Sequence, residues 1–169
     1  MCCVRPLIPD HGLPNREMFL TFWKELLHQA KQRSPALHQR CDPSTTDQIR
    51  ISTAYPGIFF HYWIWADGAA IELHIDTGDQ QQNKHIFDTL SVQREGIEKE
   101  VNTRIRWDRL DEARPSRLRI LFAGGLNRGM VRSWIPLQES MISTMQNLSN
   151  TLQPYLMATF QKPENGVAS

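Results

Sequence analysis

Residues with chemical capacity crowd into one part of this sequence. His61, His74, Glu72 and Asp76 are metal-ligand types, since imidazole nitrogen and carboxylate oxygen together suit divalent transition ions. Phe59, His61, Trp63 and Trp65 fall at every second position, the spacing that puts rings on one side of a strand. Seven arginines, Arg104, Arg106, Arg109, Arg114, Arg117, Arg119 and Arg128, lie within 25 positions of a chain whose net charge is +1. Guanidinium groups at that density suit a phosphate backbone or an acidic protein surface.

The positions of these groups depend on the elements that carry them. Ile58 to Asp76 reads as two strands joined at Ala66-Asp67-Gly68-Ala69, where Asp67 and Gly68 supply the positive backbone angles of a two-residue hairpin turn. In that register Ile64 faces Ile71, Tyr62 faces Leu73 and Phe60 faces Ile75, so one side is apolar and belongs to the core. The other side carries Phe59, His61, Trp63 and Trp65 beside Glu72, His74 and Asp76. A two-histidine, one-carboxylate metal site is one reading of that side, because cross-strand Cβ atoms stand about 5 Å apart.

Two later runs alternate in the same way. Ile105 and Trp107 oppose Arg104 and Arg106; Leu118, Ile120 and Phe122 oppose Arg117 and Arg119. If both runs join the hairpin, the four arginines share its non-core side. Either Glu72 and Asp76 pair with them while the last helix covers the rings, or Trp63, Trp65, His61, Arg104, Arg106, Arg117 and Arg119 form an exposed binding surface. Two carboxylates are too few to neutralise four arginines, which favours an anionic partner.

Helices complete the pattern. Asn15 caps a helix from 15 to about 33, with Phe22, Trp23, Leu26, Leu27 and Ala30 inward and a stop at Ser34-Pro35. A loop spans 34–48, and Ile49–Ser52 is a short strand. A second helix begins at Asp79 or Asn83 and runs through Leu90, Gly96 and Ile97 to Val101. Gly124-Gly125-Leu126-Asn127-Arg128-Gly129 is a turn, and a long helix carries Trp134, Leu137, Met141, Met145, Leu148, Leu152 and Tyr155, with Pro154 kinking or ending it. The order is helix, two or three antiparallel strands, helix, two strands, helix. Alternating strands predict an α+β domain with one mainly antiparallel sheet and helices mainly on one face.

Composition sets outer limits. The 169 residues suit one domain, taken as 15–161 between a flexible arm at 1–14 and a polar tail at 162–169. Three cysteines without paired spacing suggest neither a disulfide framework nor a zinc knuckle, so a reducing cytoplasm is expected. No run approaches the ~18 apolar residues of a membrane span. Phosphate-loop, nucleophile-elbow and His-Glu-x-x-His motifs are absent, no cofactor is implied, and a non-catalytic role is expected. The element order also fits a restriction-endonuclease-like core, but the strand offers Glu72-Leu73-His74 where such sites need Glu-x-Lys, and Asp67 is explained by the turn.

From Met18 to Tyr155 the chain resembles a prokaryotic family of domains of unknown function, found alone or C-terminal to predicted restriction-endonuclease-like regions. The landmarks are Phe22-Trp23, Ile71-Glu72-Leu73, Lys84, Phe87-Asp88 with Leu90, Ile97-Glu98, Trp107-Asp108, Arg114 with Ser116-Arg117, and Trp134. The resemblance implies a cytoplasmic protein tied to nucleic-acid or defence systems, and no established activity. In element order alone the chain is also similar to dimeric secretion chaperones, which bind an extended client. The apolar stripe of the last helix gives such a homodimer its interface.

Overall fold

The computed structural model describes residues 14–127 and 134–161; the N-terminal arm to residue 13, Arg128 and Gly129 of the glycine turn, and the tail from 162 lie outside the described residues. Helix α1 (Arg16–Arg33) starts where the Asn15 side chain accepts the Met18 N–H at 2.9 Å. Pro35, fixed in φ and lacking an N–H, opens a short helix α2 (Pro35–His38) inside the stretch expected as loop. Strands β1 (Gln48–Ser52), β2 (Ile58–Ile64) and β3 (Gly68–Ile75) follow. Helices α3 (Gln80–Ser91) and α4 (Arg94–Val101) lead to β4 (Arg106–Asp108), β5 (Ser116–Ala123) and the long α5 (Ile135–Phe160).

All five strands form one antiparallel sheet in the order β1-β2-β3-β5-β4. Its core side presents Ile49, Ile51, Ile58, Phe60, Tyr62, Ile64, Ile71, Leu73, Ile75, Leu118 and Ile120 to the buried faces of the helices. The expected α+β architecture, with helices on one face, is what the chain adopts.

Three local expectations need correction. The hairpin pairs Ile64 with Ala69, Tyr62 with Ile71 and Phe60 with Leu73, two residues away from the expected register. The turn is therefore Ala66-Asp67, closed by the Trp65 N–H donating to the Gly68 carbonyl at 2.9 Å. Gly68 has no positive φ; a Cβ there would lie 2.5 Å from the Trp65 indole nitrogen, so a larger residue has to displace that ring. The side assignments survive because the shift is even.

The second helix is two helices, broken at Val92-Gln93. The break lets Ile97 and Val101 reach the core on a separate axis while Val92 faces water. Asp79 is the cap of α3, and Asn83 is buried, accepting from the Thr77 N–H and donating to the Arg114 carbonyl.

The last helix runs through Pro154 to Phe160. Met141, Met145, Leu148 and Leu152 on its stripe are fully buried within this one chain, packed by α1, α3, α4 and β3. The surface expected to pair with a second copy is thus occupied internally, and the exposed large apolar residues of α5 are Ile135 and Met157.

Two braces hold β4 and the loop before β5. The Lys84 ammonium, on α3, donates to the carbonyls of Arg109, Leu110, Ala113 and Pro115 at 2.7–2.8 Å and meets the Ser116 hydroxyl at 3.1 Å. This cage surrounds Leu110, whose φ of 57° is left-handed. Glu98, on α4, accepts from the Trp107 indole at 2.9 Å and the Ile105 N–H at 3.3 Å. Lys84, Glu98, Trp107 and Ser116 are family landmarks, and each has a structural task here.

Candidate functional site

Pairing across the sheet aligns the non-core side in three rows. Arg50, His61, Glu72, Arg119 and Arg106 form the first, spanning all five strands. Ser52, Phe59, His74, Arg117 and Asp108 form the second. Gln48, Trp63, Ala70 and Leu121 form the third. Residues of these rows are absent from the hydrophobic cluster under the helices, although Ala70, Glu72 and His61 at their middle are themselves buried. The last helix, expected as a cover for the rings, lies on the other side of the sheet.

Arg106 and Arg119 are directly opposed, an arrangement that repels unless carboxylates intervene. They do. Arg106 donates to Asp108 at 2.8 Å and Arg117 donates to the second oxygen of Asp108 at 3.0 Å. Arg119 binds Oε2 of Glu72 through two nitrogens. Outside the rows, Arg114 pairs with Asp76, and Arg109 bridges Asp88 and Asp111. Asp108 partners Arg106 and Arg117, while Asp76 is taken by Arg114, so the rows still hold two carboxylates, Glu72 and Asp108, against Arg50, Arg106, Arg117 and Arg119. Arg104 lies outside the strands, in the segment leading into β4, and is exposed.

Glu72 sits at the centre. Burial alone would raise its pKa, but hydrogen bonds and charge from its neighbours outweigh this and hold the carboxyl well below the usual carboxylate range. The bonds come from His74 Nδ1, 3.1 Å from Oε1, and from Arg119; His61 Nδ1 stands at 3.7 Å, too far for a hydrogen bond. Asp108 is likewise lowered, burial opposing it and the Arg106 and Arg117 bonds prevailing.

His61, Glu72 and His74 bring ligand-type atoms within 4.8 Å of one another. Asp76, expected to join them, does not: it lies past β3, held by Arg114 and facing the start of α3 through the Gly78 N–H and Asn83. Asp67 is in the exposed hairpin turn, outside the cluster.

The rings form a line. His61 meets Trp63 edge-on at 5.7 Å between centroids and His74 at 5.3 Å. The Trp63 indole N–H is buried without an acceptor. Trp65 lies beyond the end of β2, with its indole against Gly68, and is 36% exposed. Arg50 places its guanidinium 4.4 Å above the Phe59 ring, a cation–π contact. Arg50 and Asp108 are the members of this surface that sequence reasoning missed. The alternation of Ile49-Arg50-Ile51 put Arg50 opposite the core, but its row neighbours depend on pairing; Asp108 follows Trp107 as Arg106 precedes it, so its side was legible too.

The glycine turn is accounted for as far as Asn127. The Leu126 and Asn127 N–H groups donate to the Trp65 and Ala66 carbonyls at 2.9 and 2.8 Å. A Cβ on Gly125 would lie 2.3 Å from the Trp65 oxygen. Among the described residues no helix is long and apolar enough to cross a membrane.

Fold and site define an α+β domain with one helix-covered sheet face and one bare face of paired charges, imidazoles and indoles. The model of the family described as Domain of unknown function (DUF4268) matches residues 19–156, and the chain belongs to that family. No curated protein and no solved structure matches it.

Proposed function

We propose that this chain is a non-catalytic binding module and that the bare face of its sheet takes up a protein partner. The observation that carries this reading is the row Gln48, Trp63, Ala70 and Leu121, beside Phe59 and Trp65, on the side of the sheet away from the core, with Leu121 54% and Trp65 36% exposed. Tryptophan and arginine around an apolar centre are the composition of interface hot spots. Paired arginines favour protein over nucleic acid. Arg106, Arg117 and Arg119 already face Asp108 and Glu72, so a phosphate backbone would compete with internal carboxylates for each contact. Arg50, over Phe59, and Arg104, exposed in the segment before β4, are the cations available to an acidic rim on the partner. We infer from the resemblance that the partner belongs to a prokaryotic cytoplasmic defence or nucleic-acid system.

A photo-crosslinking residue at Leu121, compared with one at exposed Lys99 on α4, tests this. Crosslinks to the same protein from position 121 and not from position 99, lost when Trp65→Asp is added to the chain carrying the crosslinker at 121, are expected. Binding of single- or double-stranded DNA or RNA that weakens steeply with salt, with no such protein crosslink, would replace the protein partner with nucleic acid.

A further inference from the structure

We propose that His61, Glu72 and His74 bind one divalent transition-metal ion, zinc or its close chemical relatives, through two imidazole nitrogens and one carboxylate oxygen at the middle of the bare sheet face. The inference stands independently of the protein-partner reading, since it concerns three side chains and an ion.

Spacing is the first support. A tetrahedral ion with bonds of about 2.0–2.1 Å holds its ligand atoms ~3.3 Å apart. His74 Nδ1 and His61 Nδ1 lie 3.1 and 3.7 Å from the same oxygen, Oε1 of Glu72, on either side of that value. The three ligand atoms all lie within 4.8 Å of one another.

The second support is an orphan. His61 is 7% exposed, and its Nδ1 is buried without a hydrogen-bond partner while directed at Glu72. A buried polar atom without a partner costs free energy, and a ligated metal removes that cost.

Glu72 divides its two oxygens. Arg119 holds Oε2, whereas Oε1 faces the two imidazoles. The guanidinium therefore acts as an outer partner that fixes the carboxylate's orientation, the role such groups play around known metal ligands. The carboxylate is kept ionised, as coordination requires. His61 and Glu72 are directly paired across β2 and β3, and His74 is two residues along β3, so all three ligands rise from rigid central strands. With three protein ligands, a fourth position is left for water or a donor from a ligand. Two nitrogens and one oxygen suit zinc, cobalt or nickel better than magnesium or calcium, which prefer oxygen alone.

The test uses the full chain with Cys2→Ser and Cys3→Ser, so that adjacent thiols do not compete for the ion. Co²⁺ is titrated and followed by visible absorption, and Zn²⁺ by competition with a chromophoric chelator. One ion per chain is expected, with d–d bands and no near-ultraviolet thiolate charge-transfer band. His74→Ala, whose side chain reaches solvent, weakens binding at least tenfold, and Glu72→Gln does the same. His61→Gln is read only if its circular dichroism matches the parent; otherwise His74→Ala decides. Absence of saturable binding, a thiolate band, or affinity unchanged in both His74→Ala and Glu72→Gln overturns the proposal.

Discussion

Arg119 binds one carboxylate oxygen of Glu72 directly across the β3–β5 ladder, and Glu72 is 1% exposed. Because the folded pKa of Glu72 is depressed, its ionised form contributes stability that is fully present above the unfolded value of about 4.3 and is lost as pH falls through the folded one. Urea midpoints should therefore drop below about pH 4, with Asp76 and Asp108 acting in the same sense. Glu72→Gln should cost about 2 kcal/mol at pH 7, the worth of a charged hydrogen-bonded pair. Its stability should then fall less steeply in acid than that of the parent. Equal acid slopes for the two proteins would contradict this account.

Lys84→Met should destabilise the chain by about 3 kcal/mol, because four carbonyls of the 109–115 loop lose a shared donor while the side-chain volume is kept. Amide exchange of residues 106–116 reports it: faster exchange there, with α1 unchanged under native conditions, is the expected pattern.

Gly125→Ala should cost about 2 kcal/mol or more, since the new methyl would press on the backbone of the hairpin turn and not on a movable side chain. Gly68→Ala is the contrasting case. Its methyl meets the Trp65 indole, which can swing outward, so a change in tryptophan emission should exceed the change in Tm.

Gly96→Ala should stabilise the protein by about 0.5–1 kcal/mol. Gly96 is exposed within α4, and the nearest atom to a Cβ is the Tyr155 hydroxyl at 3.8 Å. A rise of a few degrees in Tm, without loss of helical signal, is the measurement.

The contrast between the hairpin and its partners explains what the sequence discloses. Strand side chains alternate with period two, so Phe60, Tyr62 and Ile64 point to the core in either of two registers that differ by two residues. The side of each residue was therefore legible although its cross-strand neighbour was not. The helix break at Val92-Gln93 was hidden for a related reason: Leu90 and Ile97 are seven apart, which continuous and broken helices both accommodate. Asp108 lies on β4, outside the hairpin that carries Glu72. Its side of β4 was readable, but its meeting with Arg117 depends on which strand β4 joins. His61, Glu72 and His74 lie together because one hairpin carries all three, although His61 faces Glu72 across the ladder where the expected register put His74. Asp76 did not, because the strand ends at Ile75 and Arg114 holds it beyond the sheet.

The Lys84 cage behaves as a tethered counter-ion. Loops that gather carbonyls around one point are often ordered by a dissolved cation, and their order then follows the ionic composition of the medium. Here the positive charge is attached to α3, so its local concentration is set by the chain and no chelator can withdraw it. β4, and with it Asp108 and the two arginines that share it, should stay docked in buffers stripped of calcium and magnesium. The bare face would then keep its charge pattern across media of very different ion content.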